Sequence, residues 1–296
     1  MDKYKNNSDL FYKDAFERNI GILTEVEQGM LNNSTVAVIG CGGVGGMHIM
    51  NLVRTGIGAL HIADMDNFEV ANFQRQSGAS MDTVGLNKAA IMKDMALAVN
   101  PHLKIKVFED GVTDDNIDEF LSGADVLVDG IDFFAFYMRR KVFNKAREKG
   151  MYTVTAGPLG FGSALLVFSP DGMVFDEYFD IKDEMSYEDK LIAFAVGLAP
   201  ASIHMGYLDL NKVDLSSGKG PALVSACNIC SGLAVTEVIK ILLGKQNIKC
   251  VRNYFQFDPF LQKYKKGYLI GANRNPIQLI KRWYLSKKFK KSGASK

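Results

Sequence analysis

Four cysteines in 296 residues are too few, and too scattered, for a disulfide framework. No uninterrupted run of about 18 uncharged apolar residues occurs, so no membrane span is expected. The opening residues, Met1-Asp2-Lys3-Tyr4-Lys5, lack the apolar core of a secretory signal, and a reducing cytoplasm is the expected setting. Internal repeats and low-complexity linkers are missing too, which argues for one large domain. Acidic residues are absent from residue 271 to 296, where eight Lys or Arg occur. The rest of the chain then holds 27 basic against 33 acidic side chains, about −6 in net charge, and gives no strong nucleic-acid signal.

What is present is an alternation of short apolar runs and helical patterns. Strands are expected at Thr35–Ile39, Leu60–Asp64, Ile105–Phe108, Val126–Asp129 and Tyr152–Ala156. Helices are expected between them, at 44–55, 86–99, 113–121 and 133–149. This rhythm specifies a Rossmann-like, mostly parallel sheet flanked by helices, an α/β fold. Residues 8–31 read as helical before the first strand. After Gly157 the rhythm changes. Ser163–Phe168, a Pro170-Asp171-Gly172 turn and Met173–Tyr178 suggest a hairpin. Ala226–Leu243 is a strongly apolar helix ended by Gly244, and Tyr254–Phe257 with Tyr264–Leu269 suggest an antiparallel C-terminal extension of the sheet.

The first strand runs into Gly40-Cys41-Gly42-Gly43-Val44-Gly45-Gly46. Such a turn lets phosphate approach backbone N–H groups at a helix N-terminus, where aligned peptide dipoles favour negative charge. Glycine turns of this kind serve NAD, FAD and ATP alike. Asp64, at the end of the second strand, suits a ribose hydroxyl. Asp66 is open between positioning a phosphate-bound cation and capping a loop. Asn72, Arg75 and Gln76 form a polar cluster able to engage phosphate oxygens, or a plain surface loop. Lys88, in the first turn of a helix whose positive end opposes it, suggests a bound anion. Asp132 follows a strand and precedes a helix; it suits Mg²⁺, which takes one or two carboxylates plus substrate phosphates, and it also suits an N-cap. A redox cofactor leaves Arg75, Lys88 and Asp132 without a task, whereas cleavage of ATP employs all three.

Taken as a set, these residues resemble the ThiF/MoeB/HesA superfamily, relatives of ubiquitin-activating enzymes that adenylate carboxylates with ATP. The resemblance covers roughly residues 15–265. It rests on Arg18-Asn19-Ile20, Gly40 to Gly45, Thr55-Gly-Ile-Gly58, Asp64-Met-Asp66, Asn72-Phe-Gln-Arg-Gln76, Gly85-Leu-Asn-Lys88, Asn100-Pro101, Asp129-Gly-Ile-Asp132 and Glu237 to Gly244. It implies a helical arm at 1–30, an adenylation domain at 31–270 and a basic tail at 271–296. It also implies a site in which Gly40, Gly42, Gly43, Val44, Gly45, Asp64, Asp66, Asn72 and Gln76 bind the nucleotide. Arg75, Lys88 and Asp132 would do the chemistry, with Mg²⁺ on Asp132. Arg18 matches an arginine that reaches into the partner's site, which implies a homodimer. The acceptor is expected to be the C-terminus of a small ubiquitin-like or sulfur-carrier protein, or else a small acid.

The departures from the family matter as much. Relatives often hold zinc with two CxxC pairs; here only Cys227-Asn-Ile-Cys230 exists, so a structural zinc is not expected. The 170–222 stretch has no cysteine to capture a partner as a thioester, and both cysteines of the pair are expected to be packing residues. Where relatives place an arginine five residues after the Mg²⁺ aspartate, this chain has Tyr137, with Arg139 and Arg140 as candidate substitutes. The tail, mixing Ile277, Ile280, Trp283 and Tyr284 with lysines, is expected to be a solvated, partly disordered end, with contact to an anionic membrane surface as the alternative. Two rival functions stand beside adenylation: an NAD-dependent oxidoreductase and a catalytically silent nucleotide-binding scaffold.

Overall fold

The computed structural model describes residues 2–213 and 220–293. An N-terminal arm holds α1 (Asp2–Lys5), α2 (Ser8–Phe16) and α3 (Glu25–Asn32). There follow β1 (Thr35–Ile39), α4 (Gly43–Thr55), β2 (Ala59–Ala63), α5 (Lys88–Val99), β3 (Lys104–Phe108), α6 (Ile117–Leu121), β4 (Val126–Asp129) and α7 (Phe136–Glu148). The second half contains β5 (Tyr152–Leu159), β6 (Gly162–Phe168), α8 (Phe175–Phe179), α9 (Tyr187–Leu198), α10 (Val224–Leu242), β7 (Asn253–Asp258), β8 (Lys263–Tyr268) and α11 (Pro276–Gly293).

One eight-stranded sheet runs in the order β3-β2-β1-β4-β5-β6-β7-β8. The first five strands of that order are parallel, and β6, β7 and β8 continue antiparallel. Chain order reverses between β1 and β4, the switch point where open α/β sheets bind ligands beyond the carboxyl ends of their strands. Alternate residues of β1 and β4 feed two cores: Val36, Val38, Val126 and Val128 pack under α4, α5 and α10, and Ala37, Ile39 and Leu127 under α6 to α9. Helix α10 is long and apolar enough to cross a bilayer, but its Cys230, Ala234, Val235 and Val238 are buried in the first of these cores with residues of β4, β5 and β6.

Three sequence expectations are corrected. Residues 8–31 are two helices, because Gly21 adopts φ +106° and Thr24 starts a new helix through a reciprocal capping box with Glu27. The hairpin turn falls at Gly160-Phe161, joining β5 to β6, and not at 170–172. Residues after that second site form α8, since Phe175, Tyr178 and Phe179 recur at helical spacing and all three are buried among aromatic rings.

The third correction concerns the basic tail. Its described part is helix α11, docked on α9 rather than a disordered end. Arg282 bonds Asp180 at 2.8 Å, Ser286 bonds Asp189 at 2.9 Å, and Gln278 is buried. Ile277, Ile280 and Trp283 of the same helix remain exposed.

Candidate active site

The glycine turn closes on itself by backbone contact. Gly40 has φ +89°, and a Cβ there would overlap the Gly130 carbonyl oxygen; a Cβ on Gly45 would overlap the Gly40 carbonyl. A Cβ on Gly130 would lie 2.6 Å from Cα of Gly45. Three glycines therefore let the β1–α4 and β4–α7 loops touch at the switch point, below the N-terminus of α4. Gly42 and Gly43 are covered by side chains: the amide of Gln76 lies 3.5 Å from the first Cβ position, and Arg75 Cγ lies 3.3 Å from the second. The 3₁₀ turn at 70–72 sets this approach, where Asn72 Oδ1 accepts the Glu69 N–H at 2.9 Å. Gln76 is buried, and its Oε1 has no partner among the described residues.

Asp64 ties the same loop to the end of β2. Its Oδ2 accepts the Cys41 N–H at 2.7 Å and its Oδ1 accepts the Asp66 N–H at 2.9 Å. Burial pushes its carboxyl above the usual range against the pull of these two bonds. A carboxylate has about four lone-pair sites, so two accepted N–H bonds leave capacity for a ribose hydroxyl. Lys88 lies in the first turn of α5 and is buried along its stem, with its Nζ 2.9 Å from Oδ2 of the well-exposed Asp66. Sequence reasoning did not single out Asn87 as a site residue. It caps α5 by accepting the Ala90 N–H at 3.0 Å, and its Nδ2 donates to the carbonyls of Asp64 and Glu109, both at 3.2 Å. Its position directly before an apolar-periodic helix was the available signal.

The loop carrying Asp132 rests on a buried ion pair that sequence reasoning also missed. Arg139 Nε bonds Asp129 Oδ2 at 2.9 Å, and Thr155 donates to the same oxygen at 2.8 Å. Arg139 Nη2 then donates to the carbonyls of Ile131 at 2.5 Å and Asp132 at 3.1 Å, and its guanidinium lies 4.6 Å from the Phe194 ring centre. Arg139 is thereby committed to the loop's interior. Arg140 pairs with Asp176 and Asp183. Both candidate substitutes for the family's arginine are thus engaged in ion pairs, and Tyr137 stacks on Tyr187. The Asp132 carboxylate accepts only the Phe134 N–H, at 2.9 Å, and is exposed with no cation paired to it among the described residues. No three His, Cys, Asp or Glu side chains among the described residues gather to hold a metal by themselves. That suits Mg²⁺ held by one carboxylate together with substrate phosphates.

Arg18 is the one expected residue that the fold keeps away. Its neighbour Asn19 donates to the Thr55 carbonyl at 3.2 Å, at the far end of α4 from Gly43. A helix of that length spans about 20 Å. Arg18 is thus remote from the glycine turn of its own chain. Cys227 sits 3.4 Å from the Gly43 Cβ position, and Cys230 lies 3.0 Å from Ser163 Oγ. Both are buried, and burial raises both thiols, so they pack rather than react. The Gly157–Gly162 stretch is a packing hairpin, in which Gly157 accommodates Leu198 and Gly160 accommodates Tyr207.

The model of the ThiF family matches residues 16–276. The chain is similar to the tRNA threonylcarbamoyladenosine dehydratase of Escherichia coli, 42% identical over 98 residues, covering 33% of this chain and 37% of the relative. It is also similar to the SAMP-activating enzyme E1 of Haloferax volcanii, 33% identical over 162 residues, covering 54% and 59%. The chain thus spans less than two thirds of these relatives' lengths. Among solved structures, E. coli MccB with ATP superposes with a TM-score of 0.63 at 20% identity, covering 82% of this chain and 65% of that one; the likeness is one of fold.

Proposed function

We propose, from the premise that this chain belongs to the ThiF family, that it is an ATP-dependent adenylyltransferase that activates a carboxylate as an acyl-adenylate. The observation that carries this reading is the convergence of Arg75 and Gln76 on Gly42 and Gly43, with Lys88 held beside the Asp64 loop and Asp132 two residues beyond Gly130. ATP would lay its phosphates over the glycine turn and its ribose on Asp64. A substrate carboxylate oxygen then bonds to the α-phosphorus, the bond to the bridging oxygen breaks, and pyrophosphate leaves with that electron pair. Such a transfer asks the protein for alignment and for neutralisation of developing charge. Arg75 supplies a planar pair of donors and Lys88 a compact ammonium, whose partner Asp66 is exposed enough to release it. Asp132 would hold Mg²⁺, which neutralises phosphate charge when bound.

The activated group would be the C-terminus of a small ubiquitin-like or sulfur-carrier protein, or a small acid. The active form would be a homodimer in which Arg18 completes the neighbouring site. Four free thiols suit a reducing cytoplasm. ATP–pyrophosphate exchange, run with a carrier-protein C-terminus, a peptide acid and a carboxylated nucleoside in turn, tests the reading. Exchange dependent on one acceptor and lost in both Lys88→Ala and Asp132→Ala supports it; exchange that survives both changes overturns the site. Protection against heat by NAD, with none by ATP and Mg²⁺, overturns the activity.

A further inference from the structure

A second cavity lies away from the glycine turn. It has a volume of about 270 Å³ and sits between α9, the turn at Ile203–Gly206 and α11. Its wall is mostly apolar, from Ala195, Val196, Ala199, Met205 and Leu285. Ser202, His204, Lys281 and Tyr284 bring polar groups to that wall. His204 is 8% exposed, and its Nδ1 is buried with no partner among the described residues. Lys281 Nζ donates to the Pro200 carbonyl at 2.5 Å, and no carboxylate among the described residues pairs with it. Gln278 Nε2 donates to the same carbonyl at 3.3 Å, which fixes the α11 side of the cavity.

An ammonium with a carbonyl partner and no counter-ion, in a half-buried apolar setting, lacks electrostatic compensation. Burial accordingly lowers the Lys281 amine from its ordinary value. We propose that this cavity binds a small apolar monocarboxylate, its carboxylate paired with Lys281 and its chain lying along Ala195, Ala199 and Leu285. His204 is held neutral by burial, which lowers it to about 4, so it adds no charge to compete with Lys281 for the carboxylate. At about 30 Å³ per water-sized group, the volume takes roughly nine such groups. A six-carbon acid fits. Charge selects the head group and the apolar wall takes the tail.

Hexanoate is the probe, followed by ligand-observed NMR on the full chain without nucleotide, so the outcome is independent of adenylation. Saturable binding in the millimolar range or tighter is expected, with hexylamine and hexanol at least about tenfold weaker. Lys281→Met should weaken hexanoate at least about tenfold, and Ala199→Leu should remove binding by filling the cavity. Variants are scored only where thermal unfolding stays cooperative; the ligand series on the unaltered protein decides the matter without them. Equal binding of hexanoate and hexylamine overturns the proposal, as does no saturable hexanoate binding or full affinity in a folded Lys281→Met.

Discussion

The parallel and antiparallel halves of this sheet carry different kinds of information. In the parallel half, β1 to β4 end on loops whose residues touch one another: Gly40, Gly45 and Gly130 in backbone contact, Asp64 on the glycine turn, and Arg75 above it. In the antiparallel half, β6 to β8 with α8, α9 and α11 build a packed aromatic core and a cavity, joined to the first half by the β5–β6 ladder, by α10 and by the contact of Arg139 with Phe194. Phosphate chemistry constrains residue type at fixed positions, whereas packing accepts many solutions. The first half therefore reads as chemistry and the second as particular to this chain.

The largest expected effect lies where the halves meet. Arg139→Met strands the buried Asp129 carboxylate and releases the Asp132 loop, so unfolding free energy should fall by about 3–5 kcal/mol, measured by urea denaturation. A loss under 1 kcal/mol would show that the two halves do not depend on this pair. Next, Lys88→Ala and Asp132→Ala should each lower pyrophosphate exchange at least about 10²–10³-fold. Asp132 is exposed, so its variant should keep the melting temperature, sharpening the line between chemistry and packing.

Both halves contain a buried neutral histidine. His48 in α4 has neither ring nitrogen partnered, and burial lowers it to about 3; His204 falls to about 4 for the same reason. The unfolded chain takes up these protons near pH 6.5, and the folded one does not. Stability contributed by the two is therefore present above about pH 6.5 and declines as pH falls toward 4. His48→Met should flatten that acid limb while changing stability at pH 7 by about 1 kcal/mol or less. An unchanged limb in urea titrations at stepped pH would refute the assignment. Smallest of all, Arg282→Ala should cost about 1 kcal/mol, because the bond to Asp180 near the surface is one of several that dock α11. Exchange activity should stay intact, and a large loss of exchange would erase the division between the halves.

The amino-acid sequence by itself determined the alternation of strands and helices, the glycine turn and the acidic strand ends, because periodicity and glycine freedom are local properties. Asp64, Lys88 and Asp132 could be singled out by their places after a strand or in the first turn of a helix, and Arg75 by its polar cluster with Asn72 and Gln76. Only the tertiary structure decided which partners these side chains meet. It turned Arg139 inward onto Asp129, gave Asp66 to Lys88, set Arg18 at the far end of α4, and folded residues 276–293 onto α9. Those outcomes depend on contacts between segments tens to a hundred residues apart, whose free energy comes from burial and pairing that no local pattern records.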